Sequence, residues 1–159
     1  MKARYTAAGV AVLVVVALFA YSLILDRLTT DEARIRTAIN TIVDSAEECS
    51  LRKISAYLHD DFHEEELNFD RKTTLAIMGR VFLAYPVIRA RVRGLTVEII
   101  DEATAQARFI GTASAARSPD SPGEDLLRHR HSERFLVTFK KKDGKWLIIR
   151  SQTVRSTAD

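Results

Sequence analysis

Four histidines fall in two pairs, and their spacing is the first feature of this 159-residue chain that could do chemistry. His59 and His63 stand four apart, the spacing at which one helical face presents two imidazoles to zinc. Asp60 stands where a zinc protease of that design has glutamate; one methylene shorter, it would reach a metal-bound water poorly. His129 and His131 stand two apart and share a face on a strand. Against a four-histidine site stands a plainer reading, in which His59 and His63 cap a fraying, solvated helix end beside Asp60, Asp61, Glu64, Glu65 and Glu66. The plainer reading is preferred, and neither a metal nor a cofactor is implied.

His131 and Glu133 share a strand face with Phe135, Val137 and Phe139. If that face lines a pocket, burial would raise the carboxyl pKa toward neutrality and let it do acid–base work beside an imidazole. The bland alternative puts both at an exposed strand start, paired with nearby arginines. With Tyr57 and Tyr85, these are the candidate pocket residues; no catalytic residue is assigned. Arg89, Arg91 and Arg93 make one basic stripe, and Arg128, Arg130 and Arg134 a second. They could hold an acidic partner or lipid headgroups, or simply be a solvated face. Nucleic acid is disfavoured, because no aromatic platform interleaves these arginines and the formal net charge is only +3. A lone Cys49 excludes an intramolecular disulfide and a cysteine-based zinc site. Gly-rich phosphate loops and nucleophile elbows are absent from the sequence.

The elements that must position these groups follow from periodicity. Thr29 with Glu32 fits a capping box. Ile35, Ala38, Ile39, Ile42, Val43 and Ala46 then recur at helical spacing, giving a helix over about 30–48. Ser50 can cap a shorter helix whose buried side is Ile54, Tyr57 and Leu58, fraying near Asp60 to His63. Asp70 can cap a third, over about 71–85, with a stripe of Leu75, Met78, Val81, Phe82 and Tyr85, stopped by Pro86.

The period then becomes two. Ile88, Ala90 and Val92 alternate with the arginines, and after Gly94 the apolar phase shifts to Leu95, Val97 and Ile99, as a β-bulge would leave it. Ala105 to Gly111 continues as a strand, and residues 116–127 read as a loop. Two β-rich runs around Asp143-Gly144 make a closing hairpin. A two-residue turn pairs Phe139 with Ile148 and puts Arg150 and Gln152 on the Phe135 face. A three-residue loop pairs Phe139 with Leu147 and moves them to the other. The second gives the cleaner apolar face and is preferred. It leaves Leu136, Trp146 and Ile148 exposed which, with Arg89, Arg91 and Arg93, form a candidate interaction surface or homodimer contact.

The N-terminus differs from all of this. Thr6 to Leu25 carries no charge, lies between Lys2 and Arg4 on one side and Asp26 and Arg27 on the other, and would span roughly 28 Å as a helix over Ala7 to Leu25. An uncleaved signal anchor is favoured over a signal peptide cut after Ala20, because Leu18 is large for the minus-three position. The expected organisation is a cytoplasmic tail over 1–5, a transmembrane helix over 6–25 and an extracytoplasmic domain over 26–159.

Three helices followed by antiparallel strands imply an α+β fold, with a curved sheet wrapped around the long first helix. From about Asp31 to Arg155 the chain resembles the nuclear-transport-factor-2-like superfamily, also known as the SnoaL-like or cystatin-like cone. The resemblance rests on the long helix and short helix ending in Asp60, Asp61 and Phe62. It rests too on the third helix running into Leu95, Val97 and Ile99, then Ala105 and Ala107, and above all on the terminal run from Phe139 to Ile148. It implies a cone-shaped domain in a superfamily of isomerases, dehydratases, epoxide hydrolases, transport adaptors and membrane-anchored secretion components. Three roles follow as expectations: a non-catalytic interaction or ligand-binding module of the cell envelope, with a possible envelope protein partner; a small-molecule enzyme using the cone; or a subunit of secretion or envelope-transport machinery.

Overall fold

The structure is a computed structural model and describes residues 30–120, 124–125 and 132–154. The anchor expected over 6–25, the tail over 1–5, and His129 and His131 lie outside the described residues. Among the described residues no helix is long and apolar enough to cross a membrane.

Helix α1 spans Asp31–Glu47, and its cap is Thr30 rather than Thr29. Thr30 is the last residue with extended ψ, so its hydroxyl oxygen accepts the Ala33 N–H, at 3.2 Å. Asp31 and Glu32 fill the first turn, where negative charge complements the helix dipole. The predicted stripe faces inward: Ile35, Ala38 and Ile39 are buried, and Ile42, Val43 and Ala46 half-buried. The helix ends with Ser50 N–H on the Ser45 carbonyl and Cys49 N–H on that of Ala46, Cys49 taking the left-handed conformation that glycine usually fills.

Helix α2 is only Leu51–Ser55. The segment expected to extend it is instead strand β1, Leu58–Glu64, so His59 and His63 do not share a helical face. β1 turns through Asn68, at positive φ, into the two-residue β2, Phe69–Asp70. Asp70 caps helix α3, Arg71–Ala84, accepting the Thr73 N–H at 2.7 Å. Chain direction then reverses at Tyr85 and Pro86.

The strands that follow are β3, Val87–Ile99; β4, Thr104–Ala116; β5, Glu124–Asp125; β6, Glu133–Lys142; and β7, Lys145–Thr153. They join β1 and β2 in one curved, unclosed sheet of order β2-β1-β7-β6-β4-β3, with β5 beside β4. The sheet is not wholly antiparallel as expected, because β1 runs parallel to β7. The five-residue step from Leu58 to His63 on β1 is matched by a two-residue step from Ile148 to Arg150 on β7, and this irregularity erases the alternation that would mark β1 as a strand.

The bulge predicted at Gly94 is present. Register shifts by one residue between Arg93 and Thr96, with Gly94 at φ 63°. Edge strand β3 is covered by α1 at two points: Arg36 donates to the Leu95 carbonyl at 3.0 Å, and Glu47 accepts the Ala90 N–H at 2.9 Å. Such cover removes unpaired edge groups that would otherwise invite another strand.

The closing hairpin corrects the preferred register. Asp143 and Gly144, both at positive φ, form a two-residue turn that pairs Phe139 with Ile148. An extra residue, Ile149, then shifts the register, so Arg150 faces Thr138 and Ser151 faces Val137. Trp146 and Ile148 consequently point inward, 4% and 8% exposed, and belong to the core rather than to an interaction surface. They join Ile35, Ala105, Ala107 and Phe139 in one cluster, which fills the cone toward the N-terminal end of α1.

Candidate functional site

Toward the C-terminal half of α1 the cone is hollow. A cavity of about 370 Å³ lies between both long helices, α2 and the inner face of the sheet. Its origin is a mismatch of side-chain sizes. The helices present Ile39, Ile42, Val43 and Met78, but the facing strands supply Ala90, Gly111 and Ala113, too small to meet them. Phe109 and Phe135 sit opposite one another on β4 and β6 and stack along the wall, with centroids 5.4 Å apart. Such a pair is worth about 0.5–1.5 kcal/mol beyond its burial. Gly111 makes room for it: a Cβ there would lie 2.8 Å from the Phe135 ring.

The polar complement of this lining is small: Thr74, Thr112, Ser151 and Arg91. Arg91 is itself exposed. The candidate pocket residues lie elsewhere. Tyr57 lines a separate recess beside Trp146 and Leu147, and its carbonyl accepts the Ile148 N–H at 2.8 Å. Tyr85 closes α3, with the Arg117 guanidinium 5.7 Å from its ring centroid. Glu133 opens β6 opposite Gly111 and is half-buried, but does not line the cavity. His131 lies outside the described residues.

His59 is buried at 8% exposure, and its Nδ1 accepts the Asp61 N–H at 3.1 Å. No group of three or more histidine, cysteine or acidic side chains converges on a metal-sized point among the described residues. Lys142 donates to Asp60 at 2.8 Å, and that bond holds the Asp60 carboxyl below its ordinary pKa. Arg89, Arg91 and Arg93 are all exposed on β3, and Leu136 is half-buried. Phe135 and Val137, on the face that the sequence offered as a pocket wall, do line the cavity, whereas sequence reasoning missed Thr74 and Phe109. The one available signal was the run of small residues at inward positions of β3 and β4.

Comparison with solved structures bears on the fold. A provisionally assigned scytalone dehydratase from Novosphingobium aromaticivorans superposes with a TM-score of 0.65 at 14% identity, covering 84% of this chain and 87% of that one. A nuclear-transport-factor-2-like protein of unknown function from Pseudomonas putida gives 0.62 at 17% identity, covering 77% and 84%. The chain has the nuclear-transport-factor-2-like fold. An uncharacterised protein with a cystatin-like fold from Caulobacter vibrioides matches similarly, at 0.61 and 12% identity over 79% and 90%. No protein-family model and no curated protein matches the sequence.

Proposed function

We propose that this chain is a membrane-tethered, non-catalytic module of the cell envelope whose cone binds a small apolar molecule. The observation that carries the reading is the cavity itself. Its volume falls within the range of about 300–1,000 Å³ usual for ligand pockets, and its walls are aliphatic and aromatic. Protein interiors ordinarily close such space, because unfilled walls forfeit dispersion contacts. Acid–base catalysis places a titratable side chain within hydrogen-bond reach of the substrate. The polar residues of the described lining are instead Thr74, Thr112, Ser151 and the exposed Arg91.

Methionine occurs only twice in the chain, as Met1 and Met78, and Met78 lines the cavity. A carbon-13 label on the methionine methyls therefore gives one cavity signal, from Met78, beside a second from Met1. Titrating full-length protein in lipid nanodiscs with naphthalene is expected to shift the Met78 methyl saturably. A Met78 response that is absent, or that never saturates, rejects the binding reading.

The tether draws on the uncharged run Thr6 to Leu25 and on its nearness to α1. Four residues, Asp26 to Thr29, separate that run from Thr30. Fully extended they reach about 14 Å, which would hold the N-terminal end of α1 close to the bilayer. Full-length protein is expected to stay with membranes through alkaline carbonate extraction, and a chain lacking residues 1–25 to be released. Recovery of the full chain in the soluble extract, or a mature N-terminus at Tyr21 by mass spectrometry, would remove the anchor.

A further inference from the structure

Two side-chain atoms among the described residues are buried with no hydrogen-bond partner, Arg71 Nε and Thr74 Oγ1. Both are on α3, three residues apart and so on one face. Arg71 is otherwise engaged: its guanidinium donates to the Ser55 carbonyl at 3.0 Å, and it does not line the cavity. Thr74 does line the cavity.

The orphaned hydroxyl departs from the habit of this molecule. On α1, Thr37, Thr41 and Ser45 each donate to the carbonyl four residues back, at 2.9, 2.9 and 2.5 Å. That bond is the local option open to any helical hydroxyl. Thr74 forgoes it, so a residue that lines the apolar cavity carries a buried, unpaired hydroxyl. A buried hydroxyl without a partner is a standing cost that a ligand oxygen would remove.

We propose that Thr74 is the polar anchor of the cavity, and that the ligand is an uncharged, mainly hydrocarbon molecule bearing one hydroxyl or carbonyl. Its oxygen bonds Thr74 Oγ1, and its body packs between Met78, Phe62, Phe109 and Phe135. The proposal rests on the cavity being a binding site. A threonine hydroxyl serves either oxygen type, donating to a carbonyl or accepting from a hydroxyl. An ionised head does not fit, because the lining holds no buried opposite charge and Arg91 is exposed.

The test compares naphthalene with 2-naphthol, read through the Met78 methyl of the full-length protein in nanodiscs. Wild type is expected to bind 2-naphthol roughly tenfold tighter, the effect of one net hydrogen bond. Thr74→Val, which exchanges the hydroxyl for a methyl, is expected to erase that preference while naphthalene binding holds or improves. Thr74→Ser is expected to keep it. Retained naphthalene binding also reports that each variant is folded. A preference that persists in Thr74→Val overturns the assignment, as does 2-naphthoate binding more tightly than 2-naphthol. Equal binding of naphthalene and 2-naphthol by wild type overturns the anchor but leaves the binding reading standing. No Met78 response to either overturns both.

Discussion

Replacing Phe139 with alanine is expected to cost about 3–5 kcal/mol of stability, lowering the unfolding midpoint by roughly 10–20 °C. Phe139 is fully buried, and it is the largest of the completely enclosed side chains among the described residues. It stands on β6 opposite Ala105 of β4 and Ile148 of β7, beneath the Ile35 end of α1. Ala105 and Ala107 are the small partners that let a phenyl ring fill this end of the cone. They carry no side chain able to collapse into the space that alanine would leave, so the loss should fall near the upper end of the range. Trp146 is the only tryptophan and lies in the same cluster, so its fluorescence reports unfolding of this region. A shift of a few degrees or less would mean that the core is organised elsewhere. Ligand binding offers a useful contrast: Phe139 does not line the cavity, so the folded fraction of the variant should still bind.

What could be read from the chain, and what could not, divides along locality. The stripe of α1, the Asp70 cap and Pro86 stop of α3, and the bulge at Gly94 each depend on a few neighbouring residues, and the structure carries all of them. β1 was illegible because its irregular pairing with β7 leaves His59, Asp60 and Asp61 without alternation. The closing hairpin is instructive in a different way. The three-residue loop was preferred because it gave a cleaner apolar face and sent Arg150 outward. Asp143 and Gly144 instead form the tighter turn, and the chain reaches the same end with an extra residue at Ile149. Arg150 does face out, 3.1 Å from Glu65, but Trp146 and Ile148 face in. The cavity was hidden for a third reason. It is a sum of volumes over residues brought together only by the fold, and Ala90, Gly111 and Ala113 look individually like ordinary strand residues. Thr74 likewise reads as a helix surface threonine until its neighbours are known.

Asp31→Asn is the substitution expected to act most strongly among the charged residues, and its effect should depend on pH. Asp31 opens α1 and clamps it to the closing hairpin. Trp146 Nε1–H donates to Oδ1 at 2.9 Å, and Lys141 Nζ donates to both carboxylate oxygens at 3.0 and 2.9 Å. The Trp146 bond, then the Lys141 bond, hold the Asp31 carboxyl below its ordinary value of 3.8. A folded-state pKa below the unfolded one means that ionised Asp31 stabilises the fold above pH 3.8. That contribution is lost as pH falls through the lower folded value. Asparagine keeps an acceptor for the indole but loses the charge-assisted bond to Lys141, so at pH 7 the cost should be about 1–2 kcal/mol. The gap between wild type and variant should narrow once pH falls below 3.8. Alanine removes the acceptor too and strands the N–H of a residue only 4% exposed, adding about 1–3 kcal/mol. Urea titrations at pH 7, 5 and 3 followed by Trp146 fluorescence measure all three proteins. A penalty for Asp31→Asn that does not change across that range would remove the carboxylate from the clamp. The location gives the clamp its consequence: Asp31 is the first residue of α1, so a weakened clamp would let the helix fray from its N-terminal end.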